Sequence, residues 1–188
     1  MVLSKQYLNE LVQKKIIQEG FQYFSKRTKE ERDTYDIFFS YSYNDKDYAL
    51  VIVQMLEQCG YSVYIDLKDS ELDRNNVGIE TVKKIAQSMD KCRGLLYLYS
   101  KASSVSRWCP WELGYVSGKK SFRCAKMPLI QNQKDTYEKQ EYLEIYPTIE
   151  YAQISGTDKY EFWVFESANK YTILKKWING EEPQIHKK

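Results

Sequence analysis

The sequence is poor in histidine: its single one, His186, stands in the polar C-terminal tail. That scarcity excludes more than any other feature. A Ser-His-Asp or Cys-His mechanism needs an imidazole base beside its nucleophile, and none is available within the body of the chain. A histidine-rich metal site is excluded for the same reason, and no metal is expected. The four cysteines, Cys59, Cys92, Cys109 and Cys124, have neither zinc-knuckle nor redox spacing, so reduced thiols in a cytoplasmic setting are expected. An excess of one charge is also lacking. Lys and Arg number 28 against 26 Asp and Glu, and a formal net charge of +2 is too small to draw in a phosphate backbone, so no nucleic-acid partner is expected. A run of about 18 apolar residues, the length that spans a bilayer, is missing, so no membrane span is expected. The opening MVLSKQYLNELVQKK has charges inside its apolar stretch, unlike a signal peptide. No G-x-G-x-x-G follows the first strand and no P-loop occurs, which excludes a dinucleotide or nucleoside triphosphate held in those two manners.

What is present describes one globular domain. The chain has 188 residues, 43% hydrophobic and 29% charged, enough to bury a sizeable core. Tyrosine is abundant at 17 residues, as core and surface filler or as flat rings for a ligand or partner. Leu3, Tyr7, Leu8, Leu11, Val12 and Ile16 share one helical face. They predict an amphipathic N-terminal helical extension over residues 1–34, its helix ending near Gly20 and followed by the charged connector KRTKEERD. The main domain then runs over 35–188. YDIFFSYS at 35–42 reads as a strand, Asn44 and Asp45 as an N-cap, and Ala49, Ile52, Val53 and Leu56 as a helix that Gly60 closes. A strand at 61–67, a polar loop, a helix marked by Ile79, Val82, Ile85, Ala86 and Met89, and a strand at 94–100 follow. Ser106 and Pro110 start the next helix, which runs to about Gly118. Strands are expected at 124–131 and 160–167. Tyr171, Leu174, Trp177 and Ile178 suggest a last helix, and 133–158 carries no clear pattern. Strands alternating with single helices predict βαβ units and a parallel α/β sheet.

Open parallel sheets bind ligands beyond the carboxyl ends of their strands. That rule selects Ser40, Tyr41 and Ser42 after the first strand, Asp66 after the second and Ser100 after the third. Glu112 joins them, early in the helix that follows. Trp108 lies four residues before it on the same helix face, so a flat ring and a carboxylate stand together. The helix macrodipole favours the ionised acid there. The same facts also describe a surface Glu placed for dipole reasons, with Trp108 and Trp111 as core. Ser40 and Ser42 are candidates for binding phosphate or nicotinamide, or serve local backbone groups. Asp66 reads as a loop-start acid as readily as a ligand, Cys109 as a small buried hydrophobe, and Tyr115 as packing.

YDIFFSYS with Asp45, then GYSVYID, then Gly78 with IETVKKIAQS, then LLYLYSKASSVSRWCPWEL resembles the TIR (Toll/interleukin-1 receptor) domain family. The last piece is the most specific. It is similar to the family's S-x-W-C-x-x-E-L signature, through Ser106, Trp108, Cys109, Glu112 and Leu113. The resemblance covers residues 35–131 and leaves 132–188 divergent. It implies a flavodoxin-like three-layer sandwich with a central parallel five-stranded sheet in the order 2-1-3-4-5. It also implies cleavage of the nicotinamide–ribose bond of NAD, with Glu112 catalytic and Trp108 at the substrate, and in some members cyclisation to a cyclic ADP-ribose messenger. The stand-alone build is similar to the TIR sensors of the Thoeris anti-phage system, whose diffusible nucleotide signal switches on a separate effector protein. Self-association is the partner the family implies, and NAD is substrate rather than cofactor. A non-catalytic TIR interaction module is the alternative within the family, and a nucleoside deoxyribosyltransferase-like transferase the one outside it. The loop at 66–77 departs from the family by having no Gly or Pro before Gly78.

One carboxylate suffices for such a reaction. A glycosidase needs a second acid to protonate the leaving oxygen. The nicotinamide of NAD is already cationic and departs neutral, so what remains is to stabilise an oxocarbenium-like ribose and align an acceptor.

Overall fold

The computed structural model of the chain describes residues 1–13, 32–66, 78–121 and 123–186. Among them a mixed sheet of nine strands is flanked by helices on both faces. In chain order the elements are β1 (Leu3–Ser4), α1 (Lys5–Leu11), β2 (Tyr35–Ser40), α2 (Lys46–Gln58), β3 (Val63–Tyr64), α3 (Ile79–Asp90), β4 (Cys92–Tyr99), α4 (Trp108–Lys119), β5 (Cys124–Ile130), β6 (Thr148–Gln153), β7 (Tyr160–Ser167), β8 (Lys170–Ile173), α5 (Leu174–Ile178) and β9 (Gln184–Ile185). The sheet runs β3-β2-β4-β5-β6-β7-β8-β9, with β1 paired to β5 off that path. Strands β2 to β6 pair in parallel; β7, β8 and β9 extend the sheet antiparallel.

The parallel strands read as continuous apolar runs because helices cover both faces. Every residue of β5 is buried, and every residue of β4 except Arg93. Along β4, Leu96 and Leu98 join Leu8 of α1, the buried face of α2 and Leu174, Trp177 and Ile178 of α5. Leu95, Tyr97 and Tyr99 point the other way, to Met89 of α3 and Cys109, Leu113 and Val116 of α4. The period of two along a strand thus separates two cores. Gly60 follows α2 at φ +84, the left-handed cap its position predicts.

Several expectations are corrected. The sheet is not an all-parallel one of five strands. The strand at 160–167 forms, but antiparallel to β6, and β6 lies in the stretch that showed no pattern. Tyr171 belongs to β8 rather than to the last helix, which is only Leu174–Ile178. Leu3 is in a strand, not a helix. β1 pairs with Leu129 and Ile130 at the C-terminal end of β5, while β6 meets β5 at Lys126, so the N-terminal strand occupies the fork between them. Tyr151 N–H donates to the Met1 carbonyl at 3.0 Å on its other side. Helix α1 ends its regular course at Leu11. The expected continuation through Ile16 to Gly20, the connector up to residue 31 and the loop 67–77 lie outside the described residues.

Candidate active site

Ser40 ends β2 with its side chain on the α4 face, next to Phe38 of the second core. Its Oγ donates a hydrogen bond to Glu112 Oε2 at 2.5 Å. Both are inaccessible, Ser40 being 1% and Glu112 5% exposed. A carboxylate accepting a short hydroxyl bond is a charge-assisted interaction, stronger than a neutral one. Glu112 reaches this point because α4 starts where it does. Ser106 Oγ accepts from the Trp108 N–H at 3.2 Å and the Cys109 N–H at 3.4 Å, serving the first turn from one residue before the cap position, which Arg107 holds instead of the expected Ser106. Glu112 then stands one turn inside the helix, where the macrodipole favours the ionised acid. The half-buried Trp108 ring packs edge-on against Trp111, centroids 5.5 Å apart, and Trp111 continues to Tyr115 at 5.6 Å.

The remaining residues selected from the sequence do not all gather here. Tyr41 belongs to the core on the opposite face, and its hydroxyl donates to the Asp66 carbonyl at 2.9 Å, tying the end of β2 to the segment after β3. Ser42 is buried and opens a short 3-10 turn, its carbonyl accepting the Asp45 N–H at 2.8 Å. Ser100 belongs to a second centre. Its Oγ donates to the Asp45 carboxylate and accepts from the Ala102 and Ser103 N–H groups at 3.1 and 3.0 Å.

Asp45 is the residue that the sequence reading assigned to the wrong task. It occupies the N-cap position of α2 but makes no side-chain cap bond. Its carboxylate is instead 1% exposed, paired with Lys5 Nζ at 3.1 Å and with Ser100. A buried acid needs such partners to stay charged. The available signal was its position, five residues past a strand end on the ligand-binding edge of a parallel sheet. Lys5 had no signal, because only the fold brings the N-terminal segment there.

A cleft of about 760 Å³ opens beyond the carboxyl ends of β4 and β5, lined in part by Lys5, Tyr99, Ser100, Lys101, Lys134 and Tyr137. Neither Ser40 nor Glu112 is in its wall, so the buried pair and this open concavity are different places. Burial, with the nearby Glu138 adding to it, pushes the Tyr99 phenol above its ordinary value and keeps it a neutral donor. Burial likewise raises the Cys92 thiol to about 12 and Cys124 to about 11, so neither supplies a thiolate nucleophile. Among the described residues no group of three or more His, Cys, Asp or Glu side chains could hold a metal ion, and no helix is long and apolar enough to cross a membrane.

The TIR domain family model matches residues 37–163, from β2 into β7. The chain belongs to the TIR domain family. It is 34% identical over 167 residues to a protein of Bacillus cereus (strain MSX-D12) named probable 3′ cyclic ADP-D-ribose synthase ThsB′, covering 88% of this chain and 83% of that one. The TIR domain of the Toll-related receptor TRR-2 from Hydra magnipapillata aligns with a TM-score of 0.44 at 17% identity, over 58% of this chain and 78% of that one. The family match extends about thirty residues beyond the motifs legible in this TIR sequence and contains both Ser40 and Glu112.

Proposed function

We propose that this TIR chain cleaves the nicotinamide–ribose bond of NAD and closes the remainder into a cyclic ADP-ribose, acting as the signal-making component of a Thoeris-type anti-phage system. The observation that carries the reading is the buried Ser40–Glu112 pair. Taken as parallel strands alone, β3-β2-β4-β5-β6 is the flavodoxin-like order 2-1-3-4-5, whose crevice opens between the second and third of those strands. Those are β2 and β4, and Ser40 ends the first of them. The name of the Bacillus cereus relative supports the cyclic product.

In this reading the C1′–N bond of the nicotinamide riboside breaks and its electron pair neutralises the pyridinium nitrogen. Glu112 is the catalytic carboxylate that stabilises the positive charge left on the ribose, from a buried position where the interaction is strong. A ribose hydroxyl of the same molecule forms the new C1′–O bond and gives its proton to Glu112; a water in its place gives linear ADP-ribose. Ser40 fixes the carboxylate's direction. Trp108, on the same helix, offers the ring that faces the substrate. No cofactor is needed because NAD is consumed. The diffusible product is the link to a separate effector protein, and self-association completes the site. The alternative is a purely adaptor TIR module, in which the buried pair serves packing alone.

Glu112→Gln keeps the shape and removes the charge. It is expected to abolish nicotinamide release from NAD, read by mass spectrometry with the purified protein and in lysate of phage-infected cells, with the thermal melt retained. Wild-type turnover by a folded Glu112→Gln protein in either setting would overturn the reading.

A further inference from the structure

The cleft beyond β4 and β5 is separate from the Glu112 pair and remains without a task. It lies on the carboxyl edge of the sheet, where open α/β folds take ligands, and at about 760 Å³ it is of the size that holds a small molecule. Its lining combines three kinds of group. Lys101 and Lys134 bring two exposed ammonium groups that enter no ion pair among the described residues. Lys5 also lines it, but its charge is committed to Asp45. Tyr137 brings a half-buried aromatic ring, set edge to face against the buried Tyr99 with centroids 6.1 Å apart. Of the two acids, Asp135 is turned into its own turn, accepting the Asn132 N–H and amide at 2.9 and 3.1 Å. Glu138 is left facing the space. Two cations suit phosphate oxygens, an aromatic ring suits a base, and one carboxylate suits the hydroxyls of a ribose.

The geometry points to a nucleotide-binding site in this cleft, for a ribonucleoside phosphate of the ADP type, with phosphate at Lys101 and Lys134, ring against Tyr137 and ribose hydroxyls at Glu138. The ligand is either the ADP half of the dinucleotide substrate or a separate nucleotide, and the two leave different traces. ADP titrated into the full chain by calorimetry gives saturable binding, retained in Glu112→Gln and weakened at least about tenfold in Lys101→Ala/Lys134→Ala. A Lys83→Ala/Lys84→Ala control carries the same charge change on the exposed face of α3 and leaves binding intact. If the cleft holds the substrate's ADP half, Lys101→Ala/Lys134→Ala also raises KM for NAD with kcat kept; if it holds a separate nucleotide, both constants without added ADP are unchanged. No saturable ADP binding by the wild type, equal weakening in the α3 control, or loss of binding in Glu112→Gln each overturns the proposal. An inactive wild type that still binds ADP through Lys101 and Lys134 overturns the Glu112 reading and not this one.

Discussion

The bond between Ser40 and Glu112 joins residues 72 positions apart and leaves neither side chain to solvent. Hydrogen bonds to a charged group contribute about 1.5–3 kcal/mol, or roughly ten- to a hundredfold in rate where they hold a reacting carboxylate in place. Ser40→Ala is therefore expected to lower kcat for nicotinamide release by that factor with KM for NAD little changed, measured in single-turnover and steady-state assays. Equal losses in kcat and thermal stability would mark Ser40 as structural only. At this scale both members of the candidate pair could be read from the sequence. Ser40 and Glu112 were both legible, one as a strand end and one as an acid early in a helix. Their contact was not, because nothing local says which strand end a helix will overlie. Asp45 shows the limit of local rules. Its N-cap position was legible, but a carboxylate one residue before a helix can cap it or turn inward, and Lys5 and Ser100, distant in sequence, decide the matter.

Elements were legible where burial was two-sided or strictly periodic. β2, β4 and β5 are continuous apolar runs, and α2, α3 and α4 keep apolar residues three and four apart. β6 is short and mostly half-buried: only Ile149 and Tyr151 turn to the core, alternating with Thr148 and Glu150 over four residues, too brief a pattern to read locally. The step from β8 into α5 preserves the spacing of Tyr171, Leu174 and Trp177 across a change of structure, which is why a single helix was expected. Helix α5 also sets a test at a glycine. A Cβ on Gly94 of β4 would lie 2.6 Å from the Arg123 carbonyl oxygen and 2.6 Å from Ile178 Cδ1. The backbone oxygen belongs to the segment entering β5 and cannot yield as a side chain can. Gly94→Ala is expected to destabilise the fold by about 1–3 kcal/mol, the usual cost of overpacking. Urea unfolding checks this, and a Gly94→Ala protein as stable as the wild type would show that β4, β5 and α5 are packed less closely than described.

At the scale of the whole molecule, one carboxylate ties four segments together. Asp36 opens β2; its Oδ2 accepts the Ser62 N–H at 2.9 Å and the Ser62 hydroxyl at 3.0 Å, just before β3. Lys175 of α5 approaches the same oxygen at 3.5 Å, and Arg93 of β4 comes within 3.9 Å of the other. Burial pushes this acid upward, but the Ser62 bonds and the two cations outweigh it and hold Asp36 below the ordinary carboxylate range. An acid depressed in the folded state binds fewer protons there than in the unfolded chain. Its contribution is therefore complete above the unfolded value and is lost as pH falls through the folded one. Asp36→Asn is expected to be less stable than the wild type at neutral pH, with the two stability curves converging between about pH 5 and pH 1. The Lys175 and Arg93 side chains are half exposed, 47% and 55%, so their share is screened by salt, whereas the Ser62 bonds are not. Thermal melts of both proteins across that pH range, at low and high salt, check each part: the gap at pH 7 narrows with salt without closing, and curves that stay parallel down to pH 2 would remove Asp36 from the acid response of the fold.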